Sequence, residues 1–443
     1  MIALSFRTIL GKAGAVLAML LLVPGPVYFL IFEKVGGTVW GISALAGIVV
    51  AVLTYDRWWP ELREYGRPVL CCLALLLLYL MLPVMSYLLV DGSDFALSRV
   101  TRQLLFLGTP MLLLLLWWLR PGLLAVLAVI AANAVFFGIY ACWYAESFSG
   151  RVQGVVHAVH FGNISLFLGF ASLALLPLSR GYGWRILAVL GVVLGGAASI
   201  LAGARGGWLA LPVLLTVTLI MLIRSYRLRH GMIFGMLGLI GLLLIGLWHT
   251  GSVQRRVHRV ERDIEQLSQD QWLNSMGTRI LMWEQAWLEI REAPLKGTGF
   301  SGYRDRVQAA VESGALPGKM LDYASEPHNE YLYQWMTRGL AGIVFFLLCL
   351  AGAVWRFLRW LVRGDPSRLA IAQVGLSLVT MIAIGGMTIT VIDQRAVIRF
   401  LGWILALLLY CIWLNGKERK AAQTPRAAEA RVTACIPQRQ ARP

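Results

Sequence analysis

Long apolar runs divide this chain from end to end. They fall at about 13–32, 37–54, 68–90, 100–119, 121–141, 161–179, 184–203, 206–223, 231–250, 336–358, 369–391 and 397–414. Each is close to the roughly 20 residues a helix needs to cross a hydrocarbon core. Backbone in lipid must pair its own N–H and C=O groups, so runs of this length can span only as helices. The pattern predicts an all-α integral membrane protein with about twelve transmembrane helices. Composition agrees: 58% of the 443 residues are hydrophobic and 14% are charged, whereas a soluble domain carries about 25% charged residues. The first run follows Arg7 and Lys12. It is too long for a signal-peptide core and lacks a small-x-small cleavage motif, so it reads as an uncleaved first helix.

Charge orients the spans. With the N-terminus in the cytoplasm, the inside segments collect most of the Lys and Arg, including Arg57, Arg63, Arg67, Arg120, Arg356, Arg359, Arg363, Arg368 and the tail. The short outside loops hold Lys34, Arg99, Arg102, Arg151, Arg205, Arg395 and Arg399. This bias puts both termini inside. The net charge of +17 is therefore read as sidedness, and no nucleic-acid partner is expected. The expected divisions are 1–250 with spans one to nine, 251–335 as a loop outside, 336–414 with spans ten to twelve, and 415–443 as a disordered cytoplasmic tail.

The long loop has helical periodicity. Val253–Leu267 is amphipathic with a basic start and suits a headgroup layer. Thr278–Glu292 reads as a helix that Thr278 caps and Pro294 stops, with Trp283 and Trp287 on one face. Gly297-Thr-Gly299 reads as a tight turn, and Tyr303–Ser313 as a shorter helix.

His328 stands where polar loop becomes apolar helix, in Asp322–Gly342. Ser325 as N-cap and Pro327 in the first turn would set it at the positive end of a helix dipole. There a neutral imidazole could act as a general base, or simply cap. Arg205 lies in Gly203-Ala-Arg-Gly-Gly-Trp208, a short turn on the same side, where a guanidinium fork matches phosphate oxygens; a snorkelling arginine is the alternative. Arg279 opens the Trp283 helix, where an anion would offset its unfavourable place, as would a salt bridge to Glu284 or Glu289. Arg151, Gln153, Gly154, His157, His160 and Asn163 form a further outer cluster. His157 and His160 share a helix face, but no carboxylate stands at matching spacing, so no metal site is expected. Arg338 near a span end can snorkel. Arg99, Arg102, Arg395 and Arg399 complete a ring that headgroups also explain, with Asp393 a local partner of Arg395. The six cysteines show no metal or disulfide spacing. Arginines on one face suit a diphosphate leaving group, and a neutral histidine could deprotonate an incoming hydroxyl.

These residues resemble the O-antigen ligase/polymerase family of bacterial envelope glycosyltransferases, most closely the O-antigen ligases. The resemblance rests on Gly203-Ala-Arg205-Gly-Gly-Trp-Leu-Ala-Leu211, on Arg279 with Trp283, Ala286, Pro294 and Gly297-Thr-Gly299, on His328-Asn-Glu-Tyr-Leu332 with Gly339, and on Arg151…Gly154…Asn163. It is clearest over about 150–345 and elsewhere concerns topology alone. It implies glycan transfer from undecaprenyl diphosphate to a sugar hydroxyl of lipid A–core at the periplasmic face of the inner membrane, without metal or cofactor. By motif His328 would be the base, Arg205 and Arg279 would bind the diphosphate, and Arg151 would assist. Gln153, His157, His160, Asn163, Asn329 and Tyr331 are candidate substrate contacts. An O-antigen polymerase or a protein O-oligosaccharyltransferase would share these motifs. A transporter of lipid-linked sugars, the more distant alternative, would carry ionisable residues at mid-membrane.

Overall fold

A computed structural model of the chain describes residues 23–148, 151–226, 265, 272, 274 and 276–434, with the backbone alone at 33, 205 and 424–434. Every regular element among them is helical. In order they are α1 (Gly25–Ile31), α2 (Glu33–Leu53), α3 (Tyr55–Tyr65), α4 (Arg67–Leu89), α5 (Asp94–Gln103), α6 (Gly108–Leu119), α7 (Leu123–Ser147), α8 (Ala158–Ser172), α9 (Tyr182–Ala202), α10 (Arg205–Trp208), α11 (Leu211–Tyr226), α12 (Gly277–Glu292), α13 (Gly302–Glu312), α14 (Glu330–Arg363), α15 (Pro366–Gly385) and α16 (Arg395–Ala434).

Ten helical stretches among the described residues are long and apolar enough to cross a membrane. They coincide with expected spans two to eight and ten to twelve. Span nine and the amphipathic segment 253–267 fall outside the described residues, Glu265 apart, and span one is described only from residue 23, where α1 lies.

The centre of the bundle is α8, buried along its whole length. It can be enclosed because small residues let neighbours approach. A Cβ on Gly195 of α9 would come within 2.8 Å of Gly169 Cα, and one on Gly191 within 2.5 Å of Ser172 Oγ. The far end of the bundle is tied by ion pairs around the amphipathic α3. Glu61 accepts from Trp117 Nε1 at 3.1 Å, Arg120 at 2.9 Å and Lys417 at 3.0 Å. Lys420 meets Glu64 at 2.8 Å and Arg419 meets Asp365 at 3.5 Å. Beyond these contacts α16 runs on to Ala434. Its Ala-, Lys- and Arg-rich continuation favours helix, and the pairs just named anchor its start.

At the opposite end the loop builds a lobe with its own core. Met282, Ala286 and Ile290 of α12 pack with Phe300, Tyr303 and Val307, and with Ala96 and Val100 of α5 and Tyr333 and Met336 of α14. Two capping expectations are corrected. Asn274, not Thr278, receives the first N–H groups of α12, from Met276 at 3.1 Å and Gly277 at 2.8 Å. Asn329, not Ser325, caps α14, its Oδ1 accepting from Tyr331 N and Leu332 N. In each case an Asn side chain reaches the open N–H groups two or three residues on, the geometry an N-cap requires.

Helix α14 is broken at Gly339, with φ 64° and ψ −160°. The break leaves carbonyl and N–H groups that the loop takes up: Thr298 N donates to Met336 O at 2.8 Å and Leu340 N to Leu295 O at 3.2 Å. Gly297 and Gly299, with φ 76° and 82°, give that loop its tight turn, as expected. Arg338, just before the break, does not snorkel. It is buried and donates to Tyr79 OH at 3.0 Å, to Gln103 at 2.6 Å and to Gln334. Three polar partners inside the bundle outweigh the pull of the interface.

Candidate active site

The segment Ser325–Asn329 crosses the bundle end just before α14, and each residue in it is held. Trp283 Nε1 donates to Pro327 O at 3.1 Å, so one indole of α12 fixes the chain beside His328. Arg99 Nη2 donates to Ser325 O at 3.2 Å. Arg99 also pairs with buried Asp393, whose other oxygen accepts from Tyr333 OH at 2.9 Å. Asp393 was expected to pair with Arg395. It instead reaches across to α5, because its side chain points into the bundle, where Arg99 is also buried. Glu330 completes the frame: buried, it accepts from Val391 N at 2.6 Å, Ile392 N at 3.0 Å and Gln334 at 2.5 Å. It thereby ties the connection between α15 and α16 to the start of α14.

Within this frame His328 has φ 49°. A left-handed residue other than glycine is sparsely populated, and such strain persists only where surroundings enforce it. The turn aims Nδ1 of His328 at Glu326 Oε1, 3.2 Å away. Glu326 is 6% exposed. Burial works to raise its carboxyl, but the facing His328, with smaller effects of His160 and Thr390, holds it below the ordinary value. An ionised carboxylate can only accept, so it favours a proton on the facing Nδ1, which leaves Nε2 as the ring nitrogen turned to a substrate. His328 thus stands one residue before the N-cap of α14, outside the first helical turn, with a carboxylate facing its ring. Glu326 was missed in the sequence. Its signal is the Glu-Pro-His spacing, which makes sense only once His328 turns back.

Arg279 lies one helical turn before Trp283 on α12, on the edge that meets Pro327. The turn holding Arg205 is wedged tightly. A Cβ on Gly206 would meet Thr388 Oγ1 at 2.5 Å, and one on Gly207 would collide with the Asn163 amide. Those glycines serve close packing of α10 between α8 and the end of α15. Arg151 grips the same turn: its Nε donates to Ala202 O and its Nη2 to Gly203 O, each at 3.0 Å. Arg151 and the Arg205 turn are therefore one unit.

The remaining candidates divide. His157 caps α8, its Nδ1 accepting from Val159 N at 3.3 Å. Burial, then the charges of Arg151 and His328, lower its basicity, with Arg279 adding to this. His157 thus stands among the arginines and the Glu326–His328 pair. Gln153 is exposed. Two others are buried and two are part-exposed with partners of their own. His160 and Asn163 are buried. Asn329 is the N-cap of α14, and Tyr331 OH donates to Ala383 O at 2.8 Å. Sequence spacing could not tell that His160 and Asn163 face inward, because α8 is apolar all round. Among the described residues no three His, Cys, Asp or Glu gather as a metal cluster would.

Comparison with known proteins bears on the same region. Residues 190–347 match the family described as O-Antigen ligase. This stretch runs from α9 past the Gly339 break and includes Arg205, Arg279, Glu326 and His328. A Haemophilus influenzae protein described as uncharacterized is 27% identical over 238 residues, which is 52% of this chain and 58% of that protein. The chain thus spans less than two thirds of that relative's length.

Proposed function

Because residues 190–347 match the O-antigen ligase family, we propose that this chain is a membrane glycosyltransferase that moves a glycan from undecaprenyl diphosphate to a sugar hydroxyl of lipid A–core. The observation that carries the reading is the Glu326–His328 pair on the loop that enters α14. Nε2 of His328 takes the proton of the acceptor hydroxyl. The acceptor oxygen bonds to the anomeric carbon as the bond from that carbon to the diphosphate oxygen breaks. A single displacement inverts that carbon. The proton ends on the imidazole, and Glu326 stabilises the imidazolium through Nδ1. The departing diphosphate carries the negative charge, so it needs no general acid when guanidinium groups receive it. Arg205 and Arg279 take that role, and Arg151 sets the Arg205 turn.

The membrane is the bacterial inner membrane, with this end of the bundle in the periplasm and both termini in the cytoplasm. The lipid chain of the donor runs along the spans. The test is transfer by purified protein in liposomes with EDTA present, using an undecaprenyl-diphosphate-linked glycan and lipid A–core. Wild type yields extended lipid A–core, and His328→Ala, folded and inserted, yields none. Full activity in that variant removes the base assignment. Donor consumption without core modification replaces the acceptor by another glycan or a protein.

A further inference from the structure

An open cavity of about 300 Å3 lies against the same site, lined by Arg102, Val155, His157, Gln394, Arg395 and Ala396. Three parts of the chain meet there: the end of α5, the strap before α8 and the start of α16. None of the lining residues is a carboxylate. The adjacent acid is Asp393, whose Oδ2 lies 3.6 Å from Arg102. That carboxylate already pairs with Arg99 and accepts from Tyr333 OH. Arg99 and Arg102 share this one buried carboxylate, and Arg395 adds a further cation to the lining, so positive charge is left in excess at the cavity wall. Arg102 keeps 28% of its side chain exposed, and Arg395 is exposed.

The third polar wall is His157. Its Nδ1 accepts from Val159 N, so the proton of the neutral ring sits on Nε2, where it can donate. Two guanidinium forks, an imidazole N–H and the Gln394 amide together make a site for a phosphate or a carboxylate. His157 also caps α8 at the end of the strap that holds Arg151, and so joins the cavity to the Arg205 turn.

We infer that this cavity binds a phosphate group carried by the acceptor glycan. The inference rests on the proposed transfer. In an inverting displacement the acceptor and the leaving diphosphate approach the transferred carbon from opposite sides. An anchor for the acceptor must therefore use cations other than those holding the donor. Arg102 and Arg395 are such a set, next to the imidazole but apart from Arg205 and Arg279 in the chain.

The test needs no turnover. Full-length protein in phosphatidylcholine nanodiscs is titrated with lipid A–core, either native or dephosphorylated with hydrofluoric acid. Wild type should bind the dephosphorylated form about tenfold more weakly, the scale of a lost charge-assisted contact. Arg395→Gln should bind native glycolipid as weakly as wild type binds the dephosphorylated form, and Arg395→Lys should recover part of the difference. Equal binding of both forms by wild type overturns the inference. So does an Arg395→Gln protein that still discriminates, or one that loses affinity for the lipid diphosphate donor instead. Repeating the titration with phosphatidylglycerol in the nanodiscs separates the sources: if that lipid erases the tenfold difference, the occupant is a headgroup and the acceptor assignment is overturned. Phosphate-sensitive binding by a protein that transfers nothing would retain the site and remove the transferase reading.

Discussion

Glu326→Gln isolates the charge of the dyad. Glutamine has nearly the size of glutamate, and its carbonyl can still accept from Nδ1 of His328, so orientation survives while the negative charge does not. The contact is 3.2 Å long and both side chains are largely enclosed, at 29% and 7% exposure. A hydrogen bond to a charged group contributes about 1.5–3 kcal/mol and a neutral one about 1 kcal/mol. The difference, about 1–2 kcal/mol, acts when the imidazole takes its proton. It corresponds to roughly a 5- to 30-fold fall in kcat, with the KM for donor unchanged. Glu326→Ala also leaves Nδ1 unpaired and should fall further, by about two orders of magnitude. Steady-state transfer in liposomes reads both, and the double variant with His328→Ala should lose nothing beyond His328→Ala alone. Wild-type kcat in Glu326→Gln, or a loss confined to the KM for donor, would refute the pairing. The carboxyl lies below its ordinary value of 4.5, so its stabilising contribution is complete above that pH and fades as pH falls through the lower folded value. The thermal-stability gap between wild type and Glu326→Gln should therefore close in acid.

Arg205→Lys should reduce transfer strongly, because a point charge does not replace a bidentate fork on a diphosphate; near-normal kcat/KM would count against that contact. Asp393→Asn strips the partner from buried Arg99 and should lower stability by about 3–5 kcal/mol, read as a fall in Tm in detergent. An unchanged Tm would mean the pair is dispensable. Gly339→Ala places a Cβ within 2.5 Å of Leu295 C and 2.7 Å of Lys296 C, at a φ of 64°. Strain of about 1–3 kcal/mol adds to the loss of the two backbone hydrogen bonds there, so the loop should become a site of rapid limited proteolysis. Wild-type resistance would contradict this.

Much of the fold was legible because lipid allows few solutions. A run of twenty apolar residues must be a helix, and ten expected spans stand as helices among the described residues. The loop helices were legible from their period, and the Gly297–Gly299 turn from its glycines. The caps were not: Thr278 and Asn274 are both good N-caps by type, and only the chain's course chooses between them. The buried charges were also illegible. Arg99, Arg338, Glu330 and Asp393 look in sequence like residues of a wet rim, yet partners more than 200 positions away draw Arg99 and Arg338 inward. His328, Arg279 and Arg205 stood out because each interrupts a pattern. Glu326 interrupted nothing.

Gly297 and Gly339 touch backbone to backbone. A Cβ on Gly297 would reach Gly339 N at 2.7 Å, and one on Gly339 would run into Leu295 and Lys296. Nothing in this contact is carried by a side chain, so no compensating substitution elsewhere can restore it. The two positions form one heritable character spread over 42 residues of sequence. Each glycine also holds a left-handed φ of its own, so neither position is freed when the other changes.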